Sequence, residues 1–130
     1  MARPSSRHPT ELELEILKVL WRDGAAPVRH VRDALSGFRD LAYTSVTTIM
    51  NIMVKKGYLK RTKQAGRYVY TARVTERSTS RKMLSDLVNR VFDGSAVAVM
   101  LNLLETADID DDELEQLREI IRTKTGEGSP

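Results

Sequence analysis

At Gly57 the hydrophobic period of this chain changes from that of a helix to that of a strand, and few folds accommodate such a change over so short a distance. Upstream, Val46, Ile49, Met50 and Met53 recur at i, i+3, i+4 and i+7, the stripe of a helix with one buried face. A helix is predicted from Thr44 to Lys56. Downstream, Leu59 to Lys63 alternates, Gln64-Ala65-Gly66 supplies a tight connection, and Tyr68 to Thr71 is built from strong strand formers. The expectation is a helix followed directly by a β-hairpin.

Two further helices precede it. Thr10 and Glu13 have the spacing of a capping box, in which hydroxyl and carboxylate satisfy each other's backbone amides. Leu14, Leu17 and Trp21, flanked by Ile16, Val19 and Leu20, then bury one broad face until Asp23-Gly24. Pro27 suits a first-turn position, and Val28, Val31 and Leu35 repeat the helical spacing as far as Ser36-Gly37. Three helices and a hairpin make a winged helix-turn-helix, so the fold class is mainly α with a small β-hairpin.

Charge separates along the chain. Residues 1–74 hold 14 Lys and Arg against 6 Asp and Glu, and residues 75–130 hold 7 against 12, so the halves carry +8 and −5. Between Leu41 and Thr75 there is no acidic side chain, while Lys55, Lys56, Lys60, Arg61, Lys63, Arg67 and Arg73 are all basic. Such a segment suits a polyanion, with the acidic half serving another purpose.

That second half has its own pattern. Met83, Leu84, Leu87, Val88, Val91 and Phe92 mark an amphipathic helix over about residues 76–92, broken by Asp93-Gly94-Ser95. Ala96 to Glu105 follows, with Val97, Met100, Leu101 and Leu104 aligned, and Asp110 to Lys124 carries Leu114, Leu117, Ile120 and Ile121. The expected organisation is a flexible tail (1–9), a winged-helix domain (10–74), a helical dimerisation domain (75–124) and a second flexible tail (125–130).

Several chemistries fall away. With no cysteine there is no disulfide, thiol nucleophile or thiolate metal site. His8 and His30 are the only histidines and have no third ligand or nucleophile beside them in sequence, so they read as surface residues. Asp108, Asp110 and Asp112 mimic a calcium loop, but Glu113 stands where the loop needs glycine, and the helical stripe from Leu114 runs through it. No metal, cofactor or catalytic constellation is expected, and the chain does not read as an enzyme. No apolar stretch reaches the roughly 18–20 residues of a membrane span and the first ten residues are polar, so the expectation is a soluble cytoplasmic protein without membrane insertion.

Four local signatures in this order resemble the penicillinase-repressor family, the BlaI/MecI/CopY group of bacterial repressors. They are Glu15-Ile16-Leu17-Lys18-Val19-Leu20-Trp21, Tyr43-Thr44-Ser45-Val46-Thr47-Thr48-Ile49-Met50 running to Lys56-Gly57-Tyr58-Leu59, Gly66-Arg67-Tyr68-Val69-Tyr70, and Phe92-Asp93-Gly94-Ser95. The resemblance covers nearly the whole chain. It implies a winged-helix DNA-binding domain, a helical dimerisation domain and repression at an operator. Many members carry Arg after the residue matching Asn51, whereas this chain has Ile52, so one cationic contact is missing.

The residues suggest how such work would be divided. Recognition helices read base edges in the major groove from their N-terminal turns, which singles out Thr44, Ser45, Thr47, Thr48 and Asn51. Asn51 could pair bidentately with adenine, threonine methyls could meet thymine, and A·T-leaning half-sites are expected. Lys55, Lys56, Lys60 and Arg61 would neutralise phosphates, while Lys63 and Arg67 at the hairpin tip would track the backbone or enter a minor groove. Pairing of two copies would bury Leu84, Leu87, Val88, Val91, Val97, Met100, Leu101, Leu104, Leu114, Leu117 and Ile121, the alternative being an intramolecular three-helix bundle. A homodimer calls for a pseudo-palindromic operator.

In one branch of the family a membrane sensor metalloprotease starts cleavage in the dimerisation domain. The matching bond is Asn102-Leu103, where that branch usually has Asn-Phe; the competing reading is that Asn102 simply faces outward between core leucines. The cysteines on which the copper branch relies are absent. Two rival functions stand beside DNA repression: a winged helix that binds an acidic protein, and a regulatory subunit of an enzyme.

Overall fold

The computed structural model describes residues 8–126; the expected tails at 1–9 and 125–130 fall largely outside that range. Six helices and one hairpin follow in order: α1 (Glu11–Asp23), α2 (Val28–Ala34), α3 (Tyr43–Lys56), β1 (Leu59–Gln64), β2 (Arg67–Ala72), α4 (Glu76–Val91), α5 (Ala96–Thr106) and α6 (Asp111–Thr125). A single 3₁₀ turn, Leu35–Gly37, closes α2, so the α-helical part of the second helix is shorter than its apolar spacing suggests.

α1 starts where the capping box predicts. The Thr10 amide donates to Glu13 Oε1 at 2.9 Å and the Glu13 amide to Thr10 Oγ1 at 3.2 Å. Its inner face places Ile16, Leu17 and Leu20 against Val28 and Val31 of α2, and against Val46, Met50 and Met53 of α3. Leu59 and Tyr70 close this core from the hairpin. Burying each such aliphatic side chain contributes about 1.5–3 kcal/mol, and it is this shared core that holds α3 in place. Trp21 adds a directional tie, its indole N–H donating to the Val74 carbonyl at 2.9 Å.

The hairpin pairs Leu59 with Ala72 through Gln64 with Arg67 in antiparallel register. Its turn is therefore only Ala65-Gly66, with both residues at positive φ (51° and 79°), the twist a two-residue connection needs between right-twisted strands. Gln64, expected in the turn, belongs to the ladder. Ala26 adds a third, single-residue strand: its amide donates to the Tyr70 carbonyl at 3.0 Å and its carbonyl accepts from the Tyr70 amide at 2.9 Å. One isolated bridge leaves no periodicity to read, so nothing in the sequence announced it.

By internal contacts the chain divides into two units, one up to Ser85 and one from Asp86, so this division falls inside α4. The start of α4 belongs with the winged helix, where Thr79 is buried. In the second unit, α5 begins at a Ser95 cap and α6 at an Asp110 cap, whose Oδ1 accepts from the Glu113 amide at 2.8 Å. The Asp108–Asp112 cluster thus opens a helix. Among the described residues neither α5 nor α6 has a buried side chain.

Candidate nucleic-acid interface

α3 ends at Gly57, whose left-handed backbone (φ 86°) lets its amide reach back to the Met53 carbonyl. With Val46, Met50 and Met53 inward, the opposite side presents Thr44, Ser45, Thr48, Ile52 and Lys55, all exposed. Thr47 and Asn51 lie half-buried. The structure thus gathers the five residues singled out for base reading on one side of α3, and adds Ile52 to them. That apolar side chain follows Thr48 by one turn, a spacing visible in the sequence.

The hydrogen bonds within α3 decide what these groups can still offer. Thr47 Oγ1 lies 2.9 Å from the Tyr43 carbonyl and Thr48 Oγ1 2.9 Å from the Thr44 carbonyl. A carbonyl oxygen only accepts, so both hydroxyl hydrogens are already donated, and each threonine presents outward a lone pair and a methyl. Together with Ile52 they make a surface suited to thymine methyls.

Strand alternation splits the hairpin cations between two faces. The register puts Leu59, Arg61, Lys63, Tyr68 and Tyr70 on one face, and Lys60, Thr62, Gln64, Arg67 and Val69 on the other. On the first, the Arg61 guanidinium lies 4.4 Å above the Tyr68 ring centroid, with Lys63 Nζ at 5.8 Å. Arg61 Nη1 also donates to Asn51 Oδ1 at 3.1 Å, and the same oxygen accepts from the buried Tyr70 hydroxyl at 2.9 Å. Asn51 is thus a brace between recognition helix and hairpin.

Beside this face, a cavity of about 300 Å³ opens between the start of α2, α3 and the hairpin turn. Arg29 and Arg67 line it, with Tyr43, Thr47 and Tyr68. Arg29 was not among the expected cations, because its place on the same cavity as Arg67 arises only from the packing of α2 against the hairpin.

Lys56 departs from the expectation. Its ammonium donates to both carboxylate oxygens of Glu13, at 2.9 and 3.2 Å, and its side chain is 26% exposed against 4% for Glu13. The 41–75 segment holds no acid of its own, but the fold brings one in from α1, and Lys56 is withdrawn from the phosphate-facing set. Removing Lys56 leaves a buried carboxylate with its charge uncompensated and only the Thr10 amide as a partner, whereas removing the Glu13 charge leaves an ammonium that can reach water. Lys56→Met is therefore expected to cost about 3 kcal/mol, the lower end for a broken buried pair. Glu13→Gln, which keeps the hydrogen-bonding shape of the cap, should cost about 1 kcal/mol. Urea unfolding followed through Trp21 fluorescence ranks the two, and the reverse order would return Lys56 to the surface cations.

Neither histidine builds a site. His30 Nε2 sits 2.8 Å from Asp23 Oδ2, and Arg22, followed by His30, holds the Asp23 carboxyl well below the usual carboxylate range. His8, expected at the surface, is half-buried. Among the described residues no cluster of His, Asp and Glu has the arrangement of a metal site, and no single helix is long and apolar enough to cross a membrane.

A winged helix with an acid-free outer face on α3 and a cationic hairpin defines the class: the winged-helix transcription regulators. Residues 9–123 match the family described as Penicillinase repressor, and the chain belongs to that family of transcriptional repressors, which are not enzymes. Similar proteins include the methicillin resistance regulatory protein MecI of Mammaliicoccus sciuri, 27% identical over 86% of this chain and 91% of that protein. The penicillinase repressor of Bacillus licheniformis is 26% identical over 86% of this chain and 88% of its own length. That of Staphylococcus aureus is 19% identical over 84% and 86%.

Proposed function

We propose that this repressor binds a pseudo-palindromic operator as a homodimer, with α3 in the major groove and the hairpin along the flanking backbone. The observation that carries this reading is the outer face of α3, where Thr44, Ser45, Thr48 and Ile52 stand exposed without an acid among them. Around it Lys55, Lys60, Lys63 and Arg67 form no ion pair among the described residues. Base edges would meet Thr44, Ser45, Thr47, Thr48 and Asn51, while the cations, joined by Arg29, would position the duplex through its phosphates.

Dimerisation has a physical motive in α4, α5 and α6. Leu84, Leu87, Val91, Val97, Met100, Leu101, Leu104 and Ile121 are all exposed large apolar side chains, a density that a monomeric soluble chain seldom leaves in water. Val88, Leu114 and Leu117 are half-covered beside them. A twofold pair would cover this surface and set two recognition helices roughly 34–36 Å apart. Release by a membrane sensor metalloprotease is part of the same proposal. Asn102 and Leu103 are exposed on α5, and the Asn102 carbonyl accepts from the Thr106 hydroxyl at 2.7 Å, so cutting there requires α5 to unwind first.

Selection from a random duplex pool tests the DNA reading. Enrichment of an inverted repeat, bound about a thousandfold or more tighter than random duplex at physiological salt, is the expected result. Equal affinity for every duplex, with no enriched repeat, would instead favour a winged helix that binds an acidic protein.

A further inference from the structure

We propose that Asn51 is a specificity-determining residue that reads its base pair as a hydrogen-bond donor only, and so selects guanine over adenine at one position of each half-site. This rests on the DNA-binding role proposed above and reverses the adenine pairing that the residue type alone suggests.

The orientation of the amide follows from its neighbours. A guanidinium has five N–H donors and no acceptor, so the Asn51 atom 3.1 Å from Arg61 Nη1 is the carbonyl oxygen. The Tyr70 hydroxyl, 2.9 Å from the same oxygen, must then donate as well. An amide oxygen has two lone pairs, and both are taken. Tyr70 is 1% exposed, fixed in the core and bridged to Ala26, so its hydroxyl cannot turn away. Arg61 is held on its other side by the Tyr68 ring at 4.4 Å. The side chain of Asn51 is therefore clamped by its acceptor end.

What remains is the NH₂ group. Among the described residues Nδ2 donates to no protein acceptor, and it is not sealed from solvent. Adenine recognition by asparagine needs donor and acceptor together, one for N7 and one for the N6 amino group. With the oxygen committed, the N6 amino group of adenine would face another donor. Guanine offers N7 and O6, both acceptors, and cytosine offers only its N4 donor. The order of preference at this position is then guanine first and cytosine last, while Thr47 and Thr48, with their hydroxyl hydrogens already donated, read the neighbouring positions as acceptors and methyl contacts.

The test uses the full dimeric chain and the duplex recovered by selection, with each half-site position changed in turn to all four base pairs and binding measured by fluorescence anisotropy. For the wild type, one position favours guanine over adenine by about tenfold. Tyr70→Phe returns one lone pair to Asn51, and the guanine-to-adenine ratio at that position alone falls at least threefold. In Asn51→Asp one carboxylate oxygen stays with Tyr70 and Arg61 and the other can only accept, so the preference moves to cytosine at the same position. The proposal is overturned if the wild type prefers adenine at the position that Asn51→Asp alters. It is equally overturned if Asn51→Asp alters none, a result that stands even should Tyr70→Phe fold poorly. Failure to bind any duplex selectively would overturn the DNA reading itself, whereas selective binding with an unaltered profile removes only the role given to Asn51.

Discussion

Replacing Leu101 and Leu117 together by glutamate is expected to give a folded monomer that binds the selected palindrome about 10² to 10⁴-fold more weakly than the wild type. Both residues line the apolar groove of about 350 Å³ formed by α5 and α6, with Val97, Leu104, Leu114 and Ile121 around them. Neither helix contributes a buried side chain to the chain's own core. The winged helix closes its own core through α1, α2, α3 and the hairpin, so the substitutions leave it intact and the Trp21 signal of unfolding should barely move. The lost affinity comes from bivalency: with two linked half-site contacts the second is made at high effective concentration, and a monomer makes only one. Analytical ultracentrifugation beside anisotropy separates the two effects. A wild-type chain that sediments as a monomer, or a variant that keeps full affinity, would defeat the pairing proposed for this surface.

The second large effect is ionic. Five cations per protomer, Arg29, Lys55, Lys60, Lys63 and Arg67, are exposed and without ion pairs among the described residues. If each neutralises one phosphate, a dimer displaces roughly ten counterions, and affinity should fall about 10⁵-fold between about 50 and 200 mM salt. Lys56→Met should leave that slope unchanged, because its charge already serves Glu13. Arg67→Ala should flatten it by about one counterion per protomer and weaken all duplexes alike. A salt-independent affinity would mean that the cationic face meets something other than a phosphate backbone.

Much of this was legible in the sequence, and the reason is locality. The Thr10–Glu13 box, the stripe of α3 and the stop at Gly57 are each decided by residues within a few positions of one another, and all appear where expected. Hydrogen bonds to neighbouring amides and the 3.6-residue repeat depend little on what the rest of the chain does. The same locality explains the misplacements. Pairing Gln64 with Arg67 shrinks the turn to Ala65-Gly66, and the 3₁₀ turn at Leu35–Gly37 takes residues whose spacing still reads as helix.

The sequence by itself determined which helices form, where the hairpin lies, which flank of α3 is polar and which half of the chain is basic, since these follow from periodicity, caps and composition. Only the tertiary structure decided what individual charges and amides are free to do. Lys56 was claimed by a carboxylate 43 positions away and Asn51 by a hydroxyl 19 positions away. Arg29 was brought to the same cavity as Arg67 by the packing of α2 against the hairpin. A side chain's residue type names the bonds it can make; which of them are already spent depends on groups that only folding brings within 3 Å or so.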